Sequence, residues 1–206
     1  MKKLAVIGAG GHGKVVADTA SLLGWSDILF FDAAWPQKVV AGPWQILGTP
    51  ESLFKRAAEF DGVIIAIGDN QTRLKIFSDS KNSSLDLITL KHPNSVVSPN
   101  ATVGRGSVVF AGVVINIGAV LGECVIVNTG AIVDHDCILE NGVHIAPGAH
   151  LSGNVHVGPR TWVGVGACVK QGIKIGANVT VGAGAVVISD IADGLTVLGN
   201  PARPKC

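Results

Sequence analysis

Charged residues are scarce in this chain. They make up 15% of its 206 residues, and the formal net charge is +1. Basic and acidic residues also balance locally, with nine of each up to Leu90 and seven basic against six acidic residues after it. Because nucleic-acid binding relies on clustered positive charge that neutralises phosphates, the lack of a basic stripe argues against a nucleic acid as partner.

Patterns typical of metal sites, disulfides and membrane spans are also missing. The four cysteines, Cys124, Cys137, Cys168 and Cys206, show no CxxC pair and no zinc-ribbon spacing. The apolar stretch after Lys3 ends in a glycine-rich turn and is too short for a signal peptide. No stretch approaches the roughly 20 apolar residues of a transmembrane helix. We therefore expect free thiols, no bound metal, no membrane span and a cytoplasmic location.

A six-residue repeat fills the region from Val97 to Ala192. Every sixth residue from Val97 to Val187 is Val, Ile or Leu, sixteen times without a slip in phase. This period fits neither an α-helix nor a single strand and is typical of a β-helix. We expect each hexad to form a short strand and a turn, with its first residue pointing inward. Three hexads then form one triangular coil of eighteen residues, and coils stack about 4.8 Å apart.

The first 92 residues predict a small α/β domain. Strands are expected at residues 3–7, 28–31, 63–67 and 85–90, helices at 14–23, 50–58 and 71–77, and a polar turn at 80–84. Alternating strands and helices are typical of a parallel sheet. We therefore predict two domains, a Rossmann-like α/β domain at 1–92 and a β-helix at 93–206.

A glycine-rich turn follows the first predicted strand. Gly8, Gly10 and Gly13 match the GxGxxG phosphate-binding pattern, and Asp32 lies nineteen residues after Gly13. Such glycines let the backbone approach a phosphate, whose charge a helix N-terminus favours. A full dinucleotide fold needs two βαβαβ halves, and only one precedes the repeat. We therefore expect a mononucleotide-type ligand, with a plain strand-to-helix turn as the alternative.

Four motifs together suggest a family. They are GAGGHG at 8–13, IAIGDN at 65–70, VDHDC at 133–137 and GNPAR at 199–203. This combination resembles the sialic acid and bacillosamine type of sugar O/N-acetyltransferases, especially those that acetylate a nucleotide-linked 4-amino sugar. The resemblance extends over nearly the whole chain. It implies a left-handed β-helix, a homotrimer, acetyl-CoA as co-substrate and a role in bacterial surface-glycan biosynthesis.

The resemblance also implies roles for individual residues. His135 matches the catalytic histidine, and Asp136 matches the acid beside it. The residues implied to bind acetyl-CoA are His144, Gly153, whose N–H faces the thioester carbonyl, and Pro201, which lies in the GNPAR segment that closes over the coenzyme. Those implied to bind the nucleotide-sugar are Gly10, Gly11, His12, Gly13, Asp32, Gly68, Asp69 and Asn70. The family usually has a second acid after the position of Asp32, where this chain has Ala33.

The phase of the repeat places the histidines. His135 is the third residue of its hexad and therefore projects outward between two acids, as a general base requires. His144 lies nine residues later, half a coil away, so the two side chains are on opposite sides of the prism. A site that uses both must lie between two chains. Trp162 stacks one coil above His144 and either lines the acetyl-CoA channel or covers the interface.

Other interpretations compete with N-acetylation. His144, His150 and His156 recur every six residues, and the β-helix carbonic anhydrases also bind zinc through three histidines. Six residues turn the chain by about a third of a coil, so these three should point away from one another, and their even spacing does not match the pattern of that family. O-acetylation of sialic acid or another hydroxyl needs the same base. A non-catalytic solenoid that binds nucleotide-sugars needs only the α/β domain's ligand pocket.

Overall fold

The computed structural model describes residues 2–80 and 85–205. The chain forms two compact units, divided between Pro93 and Asn94. The turn predicted at 80–84 falls, apart from Ser80, outside the described residues; Ser80 itself ends a helix. Within the described part of the chain, no helix has the length and apolar character to cross a bilayer.

The first unit contains a five-stranded sheet in the order β3-β4-β2-β1-β5. Its elements are β1 (Lys3–Ile7), α1 (Gly11–Leu22), β2 (Asp27–Phe31), β3 (Val40–Ala41), β4 (Trp44–Gly48), α2 (Pro50–Phe54), a 3₁₀ turn (Ala57–Glu59), β5 (Gly62–Ile65), α3 (Asn70–Ser80) and β6 (Leu90–Lys91). β1 pairs in parallel with β2 and β5, and the side chains from Leu4 to Ile7 are fully buried. A continuous apolar run is what a central parallel strand requires, because both of its faces are covered.

Several predicted bounds in this unit are wrong. Helix α1 begins at Gly11, three residues early, because extended Gly10 caps it. Helix α2 stops at Phe54 instead of continuing to residue 58. The strand expected at 85–90 is reduced to a bridge at Leu87 and the two residues of β6. Strands β3 and β4 were not predicted, because Gly42 and Pro43 interrupt their apolar pattern and resemble a loop.

The second unit follows the predicted hexads. The sixteen strands are β7 (Val96–Val97), β8 (Thr102–Val103), β9 (Val108–Val109), β10 (Val114–Ile115), β11 (Val120–Leu121), β12 (Ile126–Val127), β13 (Ile132–Val133), β14 (Ile138–Leu139), β15 (His144–Ile145), β16 (His150–Leu151), β17 (His156–Val157), β18 (Trp162–Val163), β19 (Cys168–Val169), β20 (Lys174–Ile175), β21 (Thr180–Val181) and β22 (Val186–Val187). Each pairs in parallel with the strand eighteen residues away, which gives three sheets. This arrangement is the predicted left-handed parallel β-helix.

The inward positions are confirmed. The second residue of every strand from β9 to β22 is at most 2% exposed. Val97 and Val103, at the first coil, are only partly buried. After β22, the hairpin of β23 (Thr196–Leu198) and β24 (Arg203–Pro204) follows the last coil. Since each coil covers the next, the apolar interior is continuous along the prism.

The corners of the prism share one backbone conformation. At the fourth position of every hexad from residue 106 to residue 184, φ is positive. Glycine occupies most of these corners, as that left-handed conformation favours. The exceptions are Cys124, Asp136, Asn154, Arg160 and Asn178. One predicted catalytic residue, Asp136, is therefore a corner residue in place of a glycine.

Candidate active site

His135 and Asp136 form a hydrogen-bonded pair at the corner between β13 and β14. His135 Nδ1 lies 2.8 Å from Asp136 Oδ2, and the two side chains are 50% and 59% exposed. Asp136 has φ of 59°, so its short side chain turns back beside the ring. Asp, like Asn, tolerates this left-handed conformation better than most residues.

The surroundings of His135 favour a base. Its pKa is raised, first by the hydrogen bond with Asp136 and further by the negative charges of Asp134 and Asp136. An ionised carboxylate can only accept a hydrogen bond, so Nδ1 of His135 donates to Asp136. In the neutral ring, Nε2 then carries the lone pair, and it is the atom that can take a proton from a substrate.

A second carboxylate holds the backbone of His135. Asp134 Oδ1 accepts hydrogen bonds from the His135 N–H at 2.8 Å and from Asn116 Nδ2 at 2.7 Å. The bonds from Asn116 and from the His135 backbone also lower the pKa of Asp134, so the carboxylate stays ionised beside the histidine. Asn116 lies one coil before Asp134 and was not predicted as a site residue.

Two glycines leave room for this pair. Gly153 lies one coil after His135, and a Cβ atom placed on it would collide with Cε1 and Nε2 of the imidazole. Gly118 lies one coil before Asp136, and a Cβ atom there would collide with the carboxylate. Among the described residues, none accepts a backbone hydrogen bond from the Gly153 N–H. The structure therefore brings predicted residues His135, Asp136 and Gly153 together.

His144 occupies a different surface, on the sheet that contains β12, β15 and β18. Its side chain is buried, and Nε2 lies 3.2 Å from Nδ2 of Asn128. Trp162 covers the ring as predicted, with ring centroids 5.4 Å apart and planes 2° from parallel. The indole remains 46% exposed. Within one chain, the structure does not bring His144 to His135, which sits at the corner opposite this sheet.

The other histidines do not converge. His144, His150 and His156 lie on β15, β16 and β17, which belong to three different sheets. His156 Nε2 instead pairs with Glu140 Oε1 at 2.8 Å. Across residues 2–80 and 85–205, no group of three or more His, Cys, Asp or Glu side chains is placed to hold a metal ion.

The first unit contains a cavity of about 570 Å³ at the carboxyl ends of β1, β2 and β5. Parallel sheets gather their ligand-binding loops at this edge. Five predicted residues line it: Gly10, Gly11, His12, Asp32 and Gly68. Side chains that sequence reasoning missed complete the wall, namely Pro50, Glu51, Phe54, Thr72, Lys75, Ile76 and Asp79.

Asp32 braces the glycine-rich turn. Its carboxylate accepts hydrogen bonds from the Ala9 N–H at 2.6 Å and from the Ala34 N–H at 2.9 Å. Lys38 Nζ donates to the Ala9 carbonyl at 2.5 Å. Asp32 lines the cavity, but part of its hydrogen-bonding capacity holds the turn in place.

Three predicted substrate-binding residues do not line the cavity. Gly13 allows close packing, because a Cβ atom there would collide with the Gly8 carbonyl. Asp69 caps α3 by accepting from the Thr72 N–H at 2.8 Å. Asn70 is buried and accepts a hydrogen bond from the side chain of Arg73 at 2.7 Å. The structure assigns these three residues to supporting the cavity wall.

His12 is neutral at physiological pH. Burial, and then the positive charge of Arg73, lower its pKa to about 4. An uncharged imidazole therefore faces the cavity. Arg73 is fully buried. No sequence signal points to it, because an arginine in an amphipathic helix is usually solvent-exposed.

The GNPAR segment forms the turn between β23 and β24. Val186 donates its N–H to the Gly199 carbonyl at 3.0 Å, and Ala202 donates to the Val186 carbonyl at 2.8 Å. Pro201 is exposed in this turn. The segment is thus attached to β22, and its predicted contact with the coenzyme stays a prediction.

Known proteins resemble both units. Residues 3–80 match the PglD N-terminal domain family. Over 108 residues, 52% of this chain and 50% of the relative, the chain is 36% identical to UDP-N-acetylbacillosamine N-acetyltransferase of Bacillus subtilis (strain 168). That match thus spans about half the length of the curated relative.

Solved structures match over nearly the full chain. The acetyltransferase domain of PglB from Neisseria gonorrhoeae FA1090, in complex with acetyl coenzyme A, is 47% identical with a TM-score of 0.95, and the match covers 99% of each chain. PerB from Caulobacter crescentus, in complex with CoA and GDP-perosamine, is 37% identical with a TM-score of 0.94, and the match covers 100% of this chain and 98% of that one. The chain therefore belongs to the family of acetyl-CoA-dependent N-acetyltransferases of nucleotide-linked amino sugars, as its motifs predicted.

Proposed function

We propose that this protein transfers the acetyl group of acetyl-CoA to the 4-amino group of a UDP- or dTDP-linked amino-deoxy sugar. It acts in the cytoplasm, in the biosynthesis of bacterial surface glycans. The observation that carries the proposal is the placement of His135 between the Asp136 carboxylate and the Gly153 backbone. A base and an N–H donor at one point are what acyl transfer to an amine requires.

The chemistry follows from these groups. The neutral amine attacks the thioester carbon, and negative charge develops on the carbonyl oxygen. The Gly153 N–H donates a hydrogen bond to that oxygen. His135 Nε2 takes the proton that the new ammonium group must lose, and Asp136 stabilises the resulting imidazolium. The C–S bond then breaks, CoA leaves as the thiolate, and the amide remains on the sugar.

The α/β unit binds the nucleotide-sugar. Its cavity has the size of a small-molecule site, and the glycine-rich turn places backbone N–H groups at the start of α1, where phosphates bind well. The uncharged His12 offers a hydrogen-bonding group that does not titrate near neutral pH. Gly10, Gly11 and Gly68 leave this wall open to the ligand.

Acetyl-CoA binds between two chains of a homotrimer. His135 comes from one chain, whereas His144, Trp162 and Pro201 come from its neighbour. Apolar residues on both surfaces support this contact: Ile117, one coil before His135, is 57% exposed, and Trp162 over His144 is 46% exposed. A corner that meets a flat sheet is a heterologous contact, and three such contacts close a ring.

Release of CoA thiol in the presence of acetyl-CoA and a sugar panel tests the proposal. The panel contains UDP-, dTDP- and GDP-linked 4-amino-4,6-dideoxy sugars, with free sialic acid as the hydroxyl acceptor. We expect release with a UDP- or dTDP-linked amino sugar and an amide in the product by mass spectrometry. Release with sialic acid alone would support O-acetylation, and binding of a nucleotide-sugar without release would support the non-catalytic interpretation.

His135→Ala should lower turnover by roughly 10² to 10⁴, the range expected for loss of a general base. The matched control is His156→Gln, which changes a half-buried histidine on β17. Steady-state kinetics and thermal unfolding are measured for both variants. Turnover of His135→Ala near that of the unmodified protein, with an unchanged melting temperature, would contradict the assignment of the base.

The pH dependence should follow the pKa of His135. Because the base must be neutral, kcat/KM should fall as the pH drops below the raised pKa. Asp136→Asn removes the largest cause of the elevation, so the acidic limb of the profile should move to lower pH while the maximal rate falls. Glu140→Gln, whose partner is His156, should leave the limb in place. If the acidic limb of the kcat/KM profile does not move in Asp136→Asn, a group other than His135 is responsible for that limb.

Mixed trimers test whether the site lies between chains. His135→Ala and His144→Ala are purified separately, and each is expected to be nearly inactive. The two variants are then unfolded, mixed in equal amounts and refolded together. A complete site needs an intact His135 from one chain and an intact His144 from its neighbour, and each is present in half of the chains. Random assembly should therefore restore about a quarter of the sites. No recovery of activity, with trimers verified by light scattering, would contradict a site that takes His135 from one chain and His144 from its neighbour.

A further inference from the structure

The side chain of Arg73 lies buried behind the wall of the cavity. It belongs to α3 and is fully inaccessible to solvent. Burying a guanidinium is costly unless its donors are satisfied, so this position needs a physical reason. Its identified acceptors include the carbonyls of Ile67 at 2.9 Å and Gly68 at 3.1 Å, as well as Asn70 Oδ1 at 2.7 Å.

These acceptors belong to the segment 67–70, which covers the end of the connection from β5 and the first residue of α3. Ile67 and Gly68 line the cavity directly. The planar guanidinium presents its N–H donors in a fixed geometry and can bind two carbonyls and an amide at once. It therefore loses little conformational entropy for each hydrogen bond that it forms. One side chain therefore fixes the conformation of this segment. At Gly68, the position that a Cβ would occupy is open space.

The positive charge of Arg73 also acts on His12, another residue of the cavity lining. It is the second cause, after burial, of the low pKa of His12. The other ionisable side chains that line the cavity are Asp32, Glu51, Lys75 and Asp79. Arg73 thus binds Ile67 and Gly68 through hydrogen bonds and acts on His12 through its charge.

We propose that Arg73 is a positioning residue for the nucleotide-sugar: it holds residues 67–70 as a preformed wall of the cavity. This inference rests on the proposed function of the cavity. Arg73 does not act on the acetyl transfer itself. Its loss should therefore weaken nucleotide-sugar binding while the KM for acetyl-CoA stays the same.

The test compares Arg73→Met, Arg73→Lys and the control Arg56→Met. Arg56 is a partly buried arginine of the same unit, paired with Glu59 at 2.8 Å, and it does not line the cavity. Calorimetry gives the Kd for UDP- and GDP-linked amino sugars, and NMR follows the titration of His12, assigned with His12→Asn. Arg73→Met should raise the Kd at least about tenfold, as expected for lost hydrogen bonds to a charged group.

The two Arg73 variants separate charge from hydrogen bonding. In Arg73→Met, the pKa of His12 should rise from about 4 but stay below its usual value, because burial remains. Lysine keeps the charge but lacks the fork, so Arg73→Lys should keep the low pKa while the Kd still rises. Arg56→Met should change neither quantity. A folded Arg73→Met with unchanged Kd and unchanged His12 titration would overturn the proposal.

Arg73→Lys decides the question if Arg73→Met does not fold. A higher Kd for the nucleotide-sugar, with an unchanged KM for acetyl-CoA, then supports the proposal. An unchanged Kd overturns it. Failure of the proposed function looks different. Nucleotide-sugar binding without any acetyl transfer would refute the reaction but leave the role of Arg73 intact, whereas a protein that binds none of the sugars would refute both.

Discussion

The backbone hydrogen bonds between successive coils fix the whole second unit. Each strand pairs with the strand eighteen residues away, and the register does not slip between β7 and β22. Side chains therefore stand in columns, and the neighbours of any residue are those eighteen positions before and after it. The site depends on two such columns. His135 has Gly153 on one side, and Asp136 has Gly118 on the other, so the pair occupies space that any larger side chain would fill.

The corner conformation adds a second constraint. Corners require positive φ, which costs an ordinary residue about 1–2 kcal/mol. Asp136 accepts that conformation, and its carboxylate thereby returns to His135 Nδ1. A glutamate is longer and tolerates the left-handed region less well than Asp or Asn, so the shorter acid suits this corner. The pair of His135 and Asp136 is thus an ordinary corner of the repeat with Asp136 in place of the usual glycine. Asp134 holds the backbone N–H of His135, and Asn116 donates a hydrogen bond to Asp134.

The sequence predicts this unit well because its contacts are periodic. Phase alone gave the buried positions, the stacking of Trp162 on His144 and the separation of His144 from His135. The first unit is different. Strand β1 was predicted to the residue, but β4, the bracing bonds of Asp32 and the burial of Arg73 depend on contacts between distant segments that follow no period. Gly13, Asp69 and Asn70 were predicted to bind the substrate, but they do not line the cavity, and their packing and hydrogen bonds are visible only in three dimensions.

The two units therefore differ in the sequence changes that their structures tolerate. An insertion of one residue in a coil moves every later side chain out of its column, which would separate Gly153 from His135. The loops at the carboxyl ends of β1, β2 and β5 have no such register, and their shape is set by a few side chains such as Asp32 and Arg73. Substitutions there can therefore change the shape of the cavity without disturbing the register of the coils.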